Sequence, residues 1–298
     1  MNTTHCTRRQ FLAASTAAVA ATTAWAKPAR PLVGSQLYGW GQYYQRDGKV
    51  LNTHLDEIFA ALRDAGYDYA EGSLDVARPE ANAVFADKLK AKGLRPVSLY
   101  TGGALHTAAL AEKTVEKLLI AAKVCKVAGF SMLTFNPDPI GRDKTDAELA
   151  TQAAALKRLG AGLGELGLRL GIHHHTPEMR NGAREFHSNF KKCPGDQVGF
   201  CCDVHWIFRG GLPPLDAIKD YGDRILSWHL RQSRQKTWWE DLDTGDIDFA
   251  AIAAQVRARL LQPFYTVELA LEAGTKITRT VVENHRRSRE FVRQTFGG

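Results

Sequence analysis

Two hydrophobic rhythms alternate along this chain. Short runs in which apolar and polar residues take turns read as strands, and longer runs with apolar residues every third or fourth position read as helices. Strands are expected to begin near residues 32, 67, 95, 131, 168, 198, 225 and 264. Helical spacing fills most of the gaps, over 52–65, 81–92, 108–128, 145–166, 185–192, 213–221 and 248–260, with Gly66, Gly93, Gly129 and Gly167 as stop signals. After the first strand, Gly39-Trp40-Gly41-Gln42-Tyr43-Tyr44 reads as a glycine-rich aromatic loop. Each strand recurs after about 27 to 39 residues, the βα period of a parallel sheet. Eight such units in roughly 270 residues predict an α/β chain closed into a single (β/α)8 TIM barrel. No Gly-x-Gly-x-x-Gly opens a helix after the first strand, which argues against a dinucleotide fold.

Four of these strands carry a polar side chain near the C-terminal end, on the face opposite their apolar residues. Leu168, Leu170 and Ile172 share one face, and His173 and His175 the other; Phe200, Cys202 and Val204 oppose Asp203. Leu226, Trp228 and Leu230 oppose His229, and Tyr265, Val267 and Leu269 oppose Glu268. His173, Asp203, His229 and Glu268 form a divalent-metal ligand set, with His175 the alternative to His173. In a barrel these strand ends form the reaction face. One divalent ion there (Mn, Mg, Co, Zn or Fe) binds the adjacent oxygens of a hydroxy-ketone or hydroxy-aldehyde and stabilises the enediolate left when a proton departs. Glu268 is the expected base, with Glu178 or His175 as the second acid or base. Glu71, His205 and Arg231 are candidate substrate contacts. Trp40 and Trp206, with Trp238-Trp239, are candidate aromatic platforms for a sugar. Asp246 and Asp248 are expected to cap the helix from Phe249.

Composition changes this picture in three places. The chain has 298 residues, 44% hydrophobic and 24% charged, with a formal charge of +7. Two of the cations, Arg8 and Arg9, fall in a segment, 1–26, that reads as a twin-arginine export signal. Thr7-Arg8-Arg9-Gln10-Phe11-Leu12 is followed by a weakly apolar run and by the cleavage site Ala24-Trp25-Ala26. Residues 27–298 are then one barrel domain in the periplasm or another extracytoplasmic compartment, with no stable membrane anchor. The basic run His285-Arg286-Arg287-Ser288-Arg289 reads as a solvated helix face, so a small-molecule sugar is the expected partner and nucleic acid is not. A homo-oligomer is left open. Once Cys6 leaves with the signal, Cys125, Cys193, Cys201 and Cys202 have no Cys-x-x-Cys spacing and read as buried thiols, with a bridge from Cys193 to Cys201 or Cys202 left open.

Several segments together resemble the xylose isomerase-like TIM-barrel superfamily, the sugar phosphate isomerase/epimerase group. Gly171-Ile172-His173-His174-His175 is similar to the Gly-Tyr-His-His-His of inosose dehydratases, and with Glu178 to a segment of exported relatives. Asp203-Val204-His205-Trp206 with Gly210-Gly211, Tyr221-Gly222-Asp223-Arg224-Ile225 with His229-Leu230-Arg231, and Gly245-Asp246-Ile247-Asp248-Phe249 match further family elements, as does Val267-Glu268-Leu269. The resemblance implies an isomerase or epimerase whose metal is held by Glu, Asp, His and Glu, the two glutamates exchanging protons on opposite faces of the substrate. Here His173 stands at the first Glu, and Gln232, where relatives place Asp, follows Arg231. The first departure removes one base and brings in dehydration or β-elimination of a keto-sugar, cyclitol or keto-glycoside. The non-catalytic alternative is a sugar-binding barrel. A phosphodiesterase of the endonuclease IV type would need three metals, for which the extra ligands are not found.

Overall fold

The protein is described from a computed structural model that covers residues 28 and 30–297. The expected export segment, 1–26, lies outside those residues. Eight strands close into a parallel barrel: β1 (Leu32–Gln36), β2 (Tyr69–Ser73), β3 (Ser98–Gly103), β4 (Met132–Pro137), β5 (Arg169–Ile172), β6 (Gly199–Asp203), β7 (Ile225–Leu230) and β10 (Phe264–Val267). The order around the barrel is β1-β10-β7-β6-β5-β4-β3-β2, so the first and last strands meet at the seam. Between β7 and β10, β8 (Ser233–Arg234) and β9 (Thr237–Trp238) form a small antiparallel ladder above the barrel. The helices are α1 (Leu37–Arg46), α2 (Leu55–Asp64), α3 (Glu80–Ala91), α4 (Ala108–Ala128), α5 (Asp146–Glu165), α6 (Thr176–Lys192), α7 (Val204–Arg209), α8 (Pro214–Tyr221), α9 (Phe249–Arg259) and α10 (Val281–Phe296).

Strand alternation determines what each face buries. Val33, Leu99, Leu133, Leu170, Phe200, Trp228 and Tyr265 point outward and pack beneath helical residues such as Ile58, Phe59, Leu118 and Leu156 in one continuous core. Inside the barrel a smaller cluster of Leu32, Tyr69, Val97, Met132 and Phe264 plugs the N-terminal end. Gly34 makes room there, because a Cβ at that position would meet the Tyr69 ring at 2.1 Å; with that space Tyr69 reaches across to hydrogen-bond Thr266 at 2.8 Å. Local signals end the helices as expected: Thr145 and Glu148 form a reciprocal capping box on α5. Gly129 closes α4 at φ 101°.

Three elements differ from the sequence expectation. The segment read as a glycine-rich loop after β1 is the helix α1. The Gln36 side chain caps it by accepting from the Tyr38 N–H, and Gly39 is required because a Cβ there would lie 2.3 Å from the Leu269 carbonyl oxygen. The helix expected over 185–192 starts earlier, at Thr176, and is interrupted at Arg180–Ala183, where Asn181 and Ala183 take positive φ. A short helix not expected from the periodicity, α7, begins directly at Asp203, whose Oδ1 accepts from the N–H groups of His205 and Trp206 at 2.9 Å each. Cys125, Cys193, Cys201 and Cys202 are all free and buried, and Cys193 Sγ turns to the Ala153 carbonyl instead of to a second sulfur. No helix among the described residues is long and apolar enough to cross a membrane.

Candidate active site

Side chains from β5, β6, β7 and the end of β10 converge at the C-terminal mouth of the barrel. His173, Asp203, His229 and Glu268 are all buried and each offers a ligand atom within 4.8 Å of the others. His173, His229 and Glu268 line a cavity of about 1110 Å³ that opens at the barrel mouth, and Asp203 is fully buried behind them. His173, not His175, belongs to the quartet, because it is the residue directly beyond β5 whose ring turns into the barrel; His175 stands higher, in the cavity wall. His174, on the opposite face, packs against Phe186 and Phe200.

The ligand rings are held from behind. His173 Nδ1 lies 3.2 Å from the Asn136 side-chain oxygen, which leaves Nε2 facing Asp203 Oδ2 at 3.4 Å. His229 Nδ1 faces Glu268 Oε2 at 3.0 Å, and its Nε2 lies 2.8 Å from Glu71 Oε1. Glu71 comes from β2 on the far side of the barrel, and its other oxygen accepts from the Ser98 and Thr134 hydroxyls. Carboxylate and amide partners of this kind fix imidazole orientation and tautomer in metal sites. Asn136 also donates to Glu178 Oε1 at 3.2 Å, so a buried chain of polar groups runs from α6 to the quartet.

Arg231, buried just past β7, places one guanidinium nitrogen 3.2 Å from Asp203 Oδ2 and 3.1 Å from Glu268 Oε2. The same guanidinium lies over the rings of Trp238, at 4.2 Å, and Trp206, at 5.4 Å. Burial opposes ionisation of both carboxylates, but Arg231 and the neighbouring imidazoles together outweigh it. Glu268 is held at about 2 and Asp203 well below the usual carboxylate range. Burial likewise opposes charge on His229, while Cys201 and Glu71 raise its pKa well above that of free imidazole. His175 is pushed the other way, to about 3, by burial and the neighbouring His173, so it is neutral at physiological pH. Two imidazole nitrogens and two carboxylate oxygens at this spacing suit a borderline divalent cation, and the braced ring orientations fit one ion held by His173, Asp203, His229 and Glu268, which would displace the proton from His229.

The other expected contacts separate into two groups. Trp206, Arg231 and His175 line the cavity, as do Trp238 and Tyr100; the Tyr100 ring lies edge-on to His173 at 5.3 Å. Trp40, Glu71, His205 and Glu178 do not line it. Trp40 is a core residue of α1, its indole N–H bonded to Ser35 Oγ at 3.0 Å and its ring against His285 at 4.5 Å, which corrects its assignment as a sugar platform. Glu71 is buried below His229 and acts on the ligand, not on a substrate. His205 packs among Trp206, Phe208 and Trp238, with both ring nitrogens unpartnered, and burial lowers it to about 4. Glu178 closes a capping box on the His175 backbone N–H at 2.8 Å, and burial raises its pKa; it is fully enclosed and stands outside the cavity lining. Asp248 caps α9 through Ala251, whereas Asp246 instead ties down the β8–β9 turn through Ser233, Gln235 and Lys236. Gln232 braces the same excursion by bonding Asp243, Ser233 and Ile247 backbone groups. Asn136, Tyr100, Ser98 and Thr134 were not singled out by sequence; their shared inward phase along β3 and β4 is the signal that marks them.

The barrel fold has known counterparts. A sugar phosphate isomerase/epimerase from Parabacteroides distasonis ATCC 8503 superposes with a TM-score of 0.71 at 19% identity, covering 89% of this chain and 94% of that one. D-allulose 3-epimerase from Methylomonas sp., solved with D-allulose, gives 0.70 at 19% identity, over 91% of this chain and 99% of that one. The inosose dehydratase of Lacticaseibacillus casei is 30% identical over 122 residues, 39% of this chain and 41% of that protein, so the chain spans about two fifths of the length of this curated relative. Residues 59–294 match the profile of the xylose isomerase-like TIM barrel, and with the closed eight-stranded barrel in place the chain belongs to that family.

Proposed function

We propose that this protein is a divalent-metal-dependent isomerase or epimerase of a sugar or keto-sugar that works by removing a proton next to a carbonyl. The observation that carries the reading is the convergence of two imidazoles and two carboxylates, all buried, beside a cavity large enough for a sugar that His173, His229 and Glu268 line. His173, Asp203, His229 and Glu268 would hold the ion, which supplies Lewis-acid stabilisation of the negative charge that develops on a carbonyl oxygen. Glu268, ionised by its neighbours, accepts the proton, and Arg231 helps to keep it ionised. His175, neutral and facing the same cavity, is positioned to donate or accept a proton at a second oxygen. Trp206 and Trp238 supply apolar ring faces against which a pyranose can rest. The protein is further proposed to be exported on its twin-arginine segment.

One feature favours a second reading. The carboxylates that line the cavity are Glu268 and Asp75, and Asp75 is already bonded to Arg78, so a second carboxylate base facing Glu268 is missing among the described residues. A single base can shuttle a proton between adjacent carbons on one face, or remove it in a dehydration or β-elimination, more readily than it can invert a centre. The test is metal content per chain by plasma mass spectrometry for wild type and Asp203→Ala, beside NMR of deuterium uptake from D2O into candidate ketoses. About one ion in wild type, little in the variant and metal-dependent uptake support the proposal. A folded protein that takes up no resupplied metal and exchanges no deuterium would end the catalytic reading and leave a sugar-binding barrel.

A further inference from the structure

The cavity is larger than a monosaccharide requires, and its two halves differ in chemistry. A hexose occupies roughly 200 Å³ at the packing density of an organic solid. The cavity encloses about 1110 Å³, beyond the roughly 300–1,000 Å³ usual for drug-sized ligands. Its ligand-bearing wall comes from β5, β6, β7 and β10. The facing wall comes from the segments after β1 and β2, and its side chains include Tyr38, Leu51, Leu55, Val76 and Phe85.

That second wall mixes these apolar side chains with the exposed Gln45, Asn52 and Ser73, while several of its other polar groups are already engaged. Both ends of the Gln42 amide are taken by the Leu271 backbone, at 2.8 and 2.7 Å. The Gln36 side-chain oxygen accepts from Tyr38 N–H, and the Asp75 carboxylate accepts from Arg78. Leu51, Leu55, Val76 and Phe85 are only partly buried, in contrast to the fully enclosed aliphatic residues beneath the helices. Tyr38 is 56% exposed, and of the large exposed hydrophobic residues among the described ones it alone lines the cavity. An apolar surface continuous with a polar reaction centre is suited to a ligand with one polar and one apolar end.

We propose that the substrate is a glycoside with an apolar, aromatic aglycone: the sugar ring lies at the quartet and the aglycone lies between Tyr38 and the Leu55–Val76 wall. This rests on the sugar-enzyme reading for the location of the sugar ring, but its test reads an affinity ratio that does not require turnover or a bound ion. Calorimetric titration of the full-length protein compares phenyl β-D-glucopyranoside, D-glucose and cellobiose, with and without added Mn(II). The expected result is that the phenyl glucoside binds at least about tenfold more tightly than glucose, and more tightly than cellobiose. Tyr38→Ala, at an exposed position safe for folding, should shrink the phenyl glucoside to glucose ratio by about three- to tenfold, the scale of one aromatic pair. Val76→Asp should shrink it further. Equal affinities for all three ligands, a match by cellobiose, no binding of the phenyl glucoside, or an unmoved ratio in both variants would each overturn the proposal. A preference for the phenyl glucoside that persists without metal would uphold it even if the metal-dependent chemistry failed.

Discussion

The barrel lumen and the layer between barrel and helices are both buried, yet they are built from opposite materials. The outer layer is aliphatic and aromatic: Ile58, Phe59, Leu99, Leu133, Leu156 and Phe200 meet there without polar partners. The upper lumen holds Ser35, Glu71, Ser98, Thr134, Asn136, Ser227 and Thr266, all buried, and Glu71, Ser98, Thr134 and Asn136 are joined to the quartet by the contacts described above. Burial in the first region supplies stability through apolar area. Burial in the second desolvates a charged network whose members depend on one another, so its worth lies in orientation more than in net energy. Damage to the two regions should therefore be separable.

The largest expected effect is in the outer layer. Phe59→Ala should lower unfolding stability by about 3–5 kcal/mol, read from urea midpoints, while the folded protein retains its metal affinity. Equal loss of both would mean that the layers are not independent. Next comes pH. His285 is buried in this layer against Trp40, and burial lowers its pKa to about 4, against about 6.5 when exposed. The unfolded chain therefore binds the proton first as pH falls, so stability is complete above about 6.5, declines between about 6.5 and 4, and levels off below. His285 alone accounts for about 3 kcal/mol of that decline. In a urea series across this range, His285→Gln should show a shallower slope, and an unchanged slope would remove His285 as the source.

In the lumen the readout changes. Glu71→Gln should weaken metal binding by roughly 10–100-fold with little change in secondary structure, because His229 loses the carboxylate behind it. Metal titration followed by circular dichroism distinguishes this from misfolding, and an unaltered affinity would mean that His229 is oriented by Glu268 alone. The smallest effect should come from outside both regions. Thr145→Ala removes the capping box of α5 and should cost about 1 kcal/mol in stability without moving the metal titration.

Much of this contrast was legible in the sequence, and the reason is parity. Strand alternation alone assigns Phe200 and Trp228 outward and Asp203 and His229 inward, and it groups the quartet. Long-range features were not legible. Asn136 and Thr134 lie near the end of an ordinary strand, and only the position of β5 and of Glu71 on β2 gives them partners. Glu178 carries a carboxylate where a second base was expected, but its partners are a backbone N–H three residues back and an amide from β4. Trp40 follows a glycine and precedes another, which reads as a loop. The close approach of Leu269 that demands glycine at position 39 comes from about 230 residues later.

 That contact, with the backbone of Leu269, is one no local pattern could announce.

The same contact limits how this site can diversify. At Gly39 any side chain would collide with the backbone immediately after Glu268, so the position is fixed as long as the barrel closes where it does. Its neighbours on α1 are not constrained in this way: Tyr38 faces the cavity exposed, and a Cβ at Gly41 would meet only Leu51, at an ordinary 3.8 Å. A lineage carrying this helix can therefore change the side chains that greet a ligand, at 38 and 41, while the residue between them keeps the wall in register with Glu268. If Glu268 is the proton acceptor proposed above, freedom to vary the ligand-facing surface and constancy beside the base are written into adjacent positions of a single helical turn.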